Sequence, residues 1–244
     1  MIDEPWGDVA LTFDDGPSEW TEAIIDQLQA HGARATFFVL GCHIAGREHI
    51  LRRALDAGCE VAVHGFSHRR LTALTDGQIE DEMAGTMALV ASATGQTPRL
   101  WRAPRFDVDA RVRSVCARLG LREVWLTADT EDYLRGSDEV AARGQAGLRP
   151  GAIILLHDGR SALDTPDESL ATRAGTVVAV PAILAEGRRR GLTMGTVSEL
   201  RGDWRRRSSR AIGAPSRSAQ TRARKVLARL LRWLRTRLIG TRPA

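Results

Sequence analysis

The chain has 244 residues, of which 43% are hydrophobic and 27% charged, with a formal net charge of +5. That composition can bury a core and excludes a disordered, collagen-like or disulfide-stapled chain. It holds no apolar run of about 18 residues, as a membrane-spanning helix would need. The opening Met1-Ile2-Asp3-Glu4-Pro5 has neither the basic nor the apolar region of a secretory signal, so a cytoplasmic protein is expected.

Strand-like and helical patterns alternate from the N-terminus to about residue 200. Strands are expected at Val9–Phe13, Ala35–Leu40, Glu60–His64, Leu100–Ala103, Glu123–Thr127, Ala152–Leu156 and Thr193–Val197. Helices are expected at Glu22–Ala30, Glu48–Ala57, Asp76–Ala93, Asp109–Leu119, Asp138–Ala146 and Val177–Arg190. In the third helix Ile79, Met83, Met87 and Val90 recur at helical spacing behind a candidate cap at Thr75 or Asp76. Such alternation predicts a parallel α/β architecture, and this many strand–helix pairs in 200 residues suit a barrel better than an open sheet. Cys42, Cys59 and Cys116 match no metal-finger spacing and read as small apolar side chains in a reducing compartment.

After Leu200 the character changes. That last stretch carries 14 basic residues against the single acid Asp203, whereas the first 200 residues carry 21 basic and 29 acidic side chains. Residues 201–220 read as a basic flexible linker, and 221–244 as a basic amphipathic helical tail. Val226, Leu227, Leu230, Leu231, Trp233, Leu234 and Leu238 fall on one arc, opposite Arg224, Lys225, Arg229, Arg232 and Arg235. A membrane surface is the expected partner of that helix, with docking on the acidic body or nucleic acid as alternatives.

Ligand-type residues recur where the expected strands end: Asp14-Asp15-Gly16, His64 with His68, Arg102-Ala103-Pro104, Asp129 and Asp132, and His157-Asp158. Loops at the carboxyl ends of parallel strands build active sites in α/β folds. Each signal alone has an ordinary explanation: an Asx turn, a surface histidine pair, an arginine leaving a strand, a histidine at the rim of a core. Together they describe one Asp and two His holding a metal with open positions, a second carboxylate as base and another histidine as acid. That constellation fits metal-assisted hydrolysis of an amide or ester.

Thr12-Phe13-Asp14-Asp15-Gly16-Pro17, Ala35-Thr36-Phe37-Phe38-Val39-Leu40-Gly41 and His64-Gly65-Phe66-Ser67-His68 resemble the polysaccharide deacetylase family, the NodB-like carbohydrate esterase family four. Arg102-Ala103-Pro104, Asp129-Thr130-Glu131-Asp132-Tyr133 and Leu155-Leu156-His157-Asp158 resemble its later motifs, in order. The similarity spans about residues 7–200. It implies a distorted (β/α)7 barrel, as a catalytic domain over 1–200, that removes an N- or O-acyl group from a sugar. By resemblance Asp14 is the general base, and Asp15, His64 and His68 bind a divalent metal, most often Zn2+, with Co2+ or Ni2+ also suited. Arg102 would tune Asp14, Asp129 would orient His157, and His157 would be the general acid. Leu155 would line the acyl pocket, with Tyr133 as an aromatic wall.

Three positions depart from the family pattern. Gly65 stands where Ser or Thr is common, Arg105 where an aromatic is common, and Tyr133 where Trp is common. Arg105 would favour an anionic substrate, such as a polyprenyl-phosphate sugar. The expected activity is N-deacetylation of an amino sugar. Its rivals are a deformylase, an O-acetyl esterase, or a catalytically silent sugar- or metal-binding domain recruited by the tail.

Overall fold

The computed structural model describes residues 7–161 and 172–200; the expected linker and helical tail lie outside the described residues. Strand β1 (Val9–Asp14) is buried along its whole length. It runs parallel to β2 (Thr36–Val39) on one side and β7 (Ala152–His157) on the other. From β2 the parallel sheet continues to β3 (Glu60–Val63), β4 (Leu100–Trp101) and β5 (Arg122–Glu123). From β7 it ends at β6 (Ala128–Asp129). Helices α1 (Thr21–Ala30), α2 (Glu48–Asp56), α3 (Asp76–Thr94), α4 (Ala110–Arg118), α5 (Ser137–Gly147) and α6 (Ala174–Arg189) punctuate the strands. The sheet curls into the distorted (β/α)7 barrel expected from the sequence.

Period-two alternation explains why β1 is apolar almost throughout yet ends in chemistry. Val9, Leu11 and Phe13 turn outward into the main core with Ile24, Ile25 and Leu28 of α1 and Phe37 of β2. Ala10 turns inward with Phe38, Ala62, Leu100, Val124 and Ile153, a second core that fills the barrel. Thr12 and Asp14 share that inward face, so the strand delivers a carboxylate to the barrel mouth. Helix α3 starts with the expected cap: Thr75 and Gln78 form a reciprocal capping box, and Gly95 ends the helix in the left-handed region.

Two expected strands are built differently. Residues Glu123–Thr127 do not form one strand. The Val124 amide donates to Trp101 on one sheet edge, while the Thr127 amide donates to Ile153 on the other. This stretch spans the gap between the two edges, so it cannot pair continuously with either. The expected strand Thr193–Val197 shortens to β8 (Met194–Gly195), and a helical turn, α7 (Val197–Leu200), follows. The buried carboxylate of Glu60 at the barrel floor decides this. It accepts from the Ser198 amide and hydroxyl, while Thr36 accepts from the Val197 amide. Among the described residues no helix is long and apolar enough to cross a membrane.

Candidate active site

Asp14 and His157 are register partners at the carboxyl ends of adjacent strands, so their side chains stand side by side on the inward face. Arg102, fully buried just beyond β4, donates from Nη1 to Oδ1 of Asp14 at 2.7 Å and to Thr12 Oγ1 at 2.9 Å. Its guanidinium also covers the Phe38 ring at 4.3 Å. Oδ1 of Asp14 is thereby engaged. Oδ2 is left facing the histidine cluster, 3.7 Å from His64 Nε2.

Asp15, His64 and His68 converge, all three buried. Asp15 Oδ1 takes no hydrogen bond from a described residue. It lies 3.5 Å from Nε2 of His64 and 3.4 Å from Nε2 of His68. Ligands about 2.0–2.1 Å from a tetrahedral centre stand about 3.4 Å apart, so these atoms fit one divalent cation. His64 Nδ1 donates to the Arg102 carbonyl at 2.9 Å, which leaves Nε2 as the lone-pair nitrogen. Burial pushes the His64 pKa down to about 3, outweighing the pull of Asp15, so the ring is neutral as a ligand must be. The site thus suits a divalent metal.

The backbone that aims these groups is unusual. Asp15 and His68 take φ of 75° and 61°, within the left-handed region that Asp and His tolerate better than most residues. Gly65, at φ 82°, needs that same freedom, which accounts for glycine at this departure from the family pattern. Gly159 lies directly over Asp15: a Cβ there would stand 2.1 Å from the Asp15 carbonyl oxygen. Asp158 accepts from the Gly16 amide and the Thr21 hydroxyl. Its burial raises its pKa to about 7, against the lowering effect of the Thr21 bond.

The carboxylate on His157 is not the expected one. Asp132 Oδ1 lies 2.7 Å from His157 Nδ1, and Asp132 Oδ2 accepts from the His157 amide at 2.8 Å and from Thr176 at 2.6 Å. Asp129 instead caps its own turn, accepting from the Glu131 amide at 2.8 Å. Asp129 sits on β6 in register with Leu155, two residues short of His157, whereas the turn carries Asp132 back over the strand end. Both carboxylates stand in one Asp-x-x-Asp run, and spacing alone does not separate them. Burial opposes the charged form of His157, but the Asp132 carboxylate outweighs it and raises the pKa to about 9. Asp132 is held below the usual carboxylate range: burial works against ionisation, and His157, Arg173 and Thr176 overcome it.

For Asp14 the balance falls the other way. Burial is the largest influence and raises its pKa, although Arg102, His157 and His68 pull it down. A neighbouring arginine therefore does not by itself keep this carboxylate at its ordinary acidity. Leu155 is buried inside the barrel, and Tyr133 meets the His157 ring edge-on at a centroid distance of 5.4 Å. Arg105 is exposed at the rim, on a turn where both it and Phe106 have positive φ. Beyond it Phe106 stacks on Trp125 at 5.5 Å, and Trp125 is 46% exposed.

Glu82 escaped the sequence reading because it sits in mid-helix on α3, with no motif around it. It is nearly buried and accepts from the amides of Phe66 and Ser67 at 2.8 Å each and from the Ser67 hydroxyl at 2.6 Å. It thus ties down the loop between His64 and His68. Glu82→Gln is expected to destabilise the chain by about 2 kcal/mol and to weaken divalent-metal affinity about tenfold. Thermal denaturation with a Co2+ titration checks both, and unchanged metal affinity would show that the loop holds its shape without this carboxylate.

Residues 3–124 match the family model for polysaccharide deacetylase. The chitooligosaccharide deacetylase of Bradyrhizobium sp. (strain ANU 289) is 36% identical over 188 residues, covering 73% of this chain and 85% of that protein. The peptidoglycan-N-acetylglucosamine deacetylase PgdA of Listeria monocytogenes is 35% identical over 152 residues, 62% of this chain but 32% of that longer protein. Among solved structures, the family 4 carbohydrate esterase from Streptomyces lividans in complex with acetate superposes with a TM-score of 0.70 at 33% identity, covering 86% of this chain and 98% of that one. A family 4 pseudoenzyme from Bacillus anthracis shares the fold at a TM-score of 0.70 and 23% identity.

Proposed function

Because this chain belongs to the polysaccharide deacetylase family, we propose that it is a metal-dependent hydrolase that removes the N-acetyl group from an amino sugar of a glycan. One observation carries this reading: the strand register sets Asp14 and His157 side by side, beside a three-ligand cluster, with Oδ2 of Asp14 open and His157 held protonated by Asp132. The fold alone would not suffice, since a pseudoenzyme shares it. Turnover rests on these side chains, which argue against the rival of a silent binding domain.

Asp15, His64 and His68 would hold the cation, and we assign it as Zn2+, which this imidazole and carboxylate donor set suits as it does Co2+ and Ni2+. When bound it supplies Lewis acidity toward the acyl carbonyl and a water molecule, and it favours ionised Asp14. Asp14 Oδ2 is the atom placed to take a proton from an attacking water, since Oδ1 is held by Arg102. The hydroxyl oxygen adds to the acyl carbon. As the C–N bond breaks, His157 Nε2 passes its proton to the departing amine, since Nδ1 is held by Asp132. At neutral pH a His157 raised to about 9 is charged, as an acid must be. Leu155 and Tyr133 flank His157 and would border the acyl group, and the Trp125–Phe106 stack offers a face for a sugar ring.

The test is acetate release by Zn2+-loaded protein from a soluble N-acetylglucosamine oligomer and from a polyprenyl-phosphate N-acetyl amino sugar in vesicles. Chelation is expected to abolish release and lower the Tm, with Zn2+ restoring both. Release that survives complete metal removal would refute the reading. The location we propose is a cytoplasmic membrane surface, supported by the basic amphipathic pattern of 221–244. Loss of anionic-vesicle binding on truncation after Leu200 is the expected result, and undiminished binding would overturn it.

A further inference from the structure

Beside the cluster of Asp15, His64 and His68 lies a concavity that none of the chemistry above uses. Its volume is about 220 Å3, room for about seven waters at roughly 30 Å3 each, or for one substituent of a sugar rather than a whole chain. Three loops at the carboxyl end of the barrel build it. Ser18 and Trp20 come from the loop after β1, His43 and Arg47 from the loop after β2, and Arg160 from the loop after β7. Two of these loops follow directly on the strands that end in Asp14 and His157, and the first of them carries Asp15, so the cavity opens on the rim where the glycan must lie.

Its walls are tied to the catalytic backbone. His43 Nδ1 lies 2.8 Å from the Asp15 carbonyl oxygen, and the Ser18 hydroxyl donates to the Asp158 carbonyl. The charge is what the cavity adds. Several guanidiniums elsewhere on this body pair with carboxylates, among them Arg53, Arg111, Arg113, Arg135, Arg143 and Arg190. Among the described residues Arg47 and Arg160 form no salt bridge, although Glu19 lines the same cavity. Arg47 makes only a long contact, 3.5 Å, with the His43 carbonyl. Two arginines lining one concavity, neither ion-paired with the Glu19 that shares it, and an indole beside them suit a planar or tetrahedral oxyanion.

We propose that this cavity is a subsite for an oxyanion, a carboxylate or a phosphate, carried by the glycan next to the sugar being deacetylated. The proposal deepens the deacetylase reading and rests on it. An anionic substituent held by Arg47 and Arg160 would set the acyl sugar over Asp14 and His157, so the subsite selects acidic glycans over neutral ones. Glu19 in the lining raises the threshold: a neutral hydroxyl gains little from the arginines, whereas an oxyanion engaging both overcomes the repulsion.

The decisive comparison uses the full Zn2+-loaded chain and its Arg47→Gln/Arg160→Gln variant. Acetate release is measured from three oligomers of equal length: neutral N-acetylglucosamine, one alternating with N-acetylmuramic acid bearing free carboxylates, and one carrying 6-phosphates. The ratio of kcat/KM for the acidic over the neutral oligomer is expected to fall at least tenfold in the variant. Whichever acidic oligomer loses more identifies carboxylate or phosphate as the group recognised. A second readout needs no turnover: inorganic phosphate and acetate titrated against intrinsic fluorescence, with Trp20→Phe identifying the reporting indole. Saturable quenching that disappears in the double arginine variant sustains the subsite even if no oligomer is deacetylated, in which case only the deacetylase reading falls. An unchanged kcat/KM ratio together with no saturable quenching would overturn the subsite and leave the deacetylase reading standing.

Discussion

Asp14→Asn is expected to lower acetate release about 1,000-fold or more while divalent-metal binding persists. The amide keeps the shape of the side chain and can still accept from Arg102 through its oxygen, so the geometry around Asp15, His64 and His68 survives. What is lost is the basic atom: Oδ2, left open by the 2.7 Å bond between Oδ1 and Arg102, has no replacement among the neighbouring side chains. General-base catalysis alone is worth about 100- to 10,000-fold. A second effect accompanies it. Arg102 is fully buried, and with a neutral partner its charge is less well compensated, which costs up to about 3–5 kcal/mol when a buried pair is broken outright. A falling Tm is therefore expected, and single-turnover rates must be taken well below it. A variant that binds Co2+ normally and retains a tenth of the native rate would remove Asp14 from the role of base.

Asp132→Asn is expected to cost about 100-fold at pH 8 and to move the alkaline limb of the kcat/KM profile. His157 titrates near 9 because the Asp132 carboxylate overcomes the burial that disfavours the imidazolium. With the carboxylate removed, burial acts unopposed by its strongest counterweight, and the pKa falls to the ordinary 6.5 or below. The protonated acid is populated below its pKa, so the active fraction disappears as pH rises through about 6.5 rather than about 9. The same pair affects stability. A pKa raised on folding adds stability that is complete below about 6.5 and is lost as pH rises toward 9, so native Tm should decline across that interval. Orientation is lost as well, because Asp132 holds both the ring and the backbone of His157. Asp129→Asn is the matched control and should leave the limb in place. If Asp129→Asn moved the limb and Asp132→Asn did not, the assignment made from the structure would be wrong.

Much of this protein was legible because local signals and global fold agree. The six helices appear within a few residues of their expected spans, and the alternation of short apolar strands with amphipathic helices leads to the barrel without tertiary information. The ligand-type residues at strand ends were legible for the same reason, since a parallel strand always delivers its carboxyl-terminal residues to one end of a barrel. Where the reading failed, it failed on contacts between distant segments. Glu123–Thr127 has the composition of a strand but spans a gap between two sheet edges. The expected strand Thr193–Val197 breaks off after Gly195, and the chain turns helical at Val197 because Thr36 and Glu60 take the amides of Val197 and Ser198.

The sequence by itself determined the architecture and the chemical inventory: a parallel α/β barrel with a set of carboxylates, a histidine pair, an arginine and a further histidine at one end. Periodicity and spacing are properties of neighbouring residues, and they are enough for that. Only the tertiary structure decided which acid serves which base. Asp132 rather than Asp129 reaches His157, Glu82 from the middle of a helix secures the loop of the metal ligands, and burial rather than charge pairing sets the direction of the Asp14 pKa. Those outcomes depend on distances of a few ångströms and on the exclusion of water, neither of which is encoded in the order of residues along any single segment.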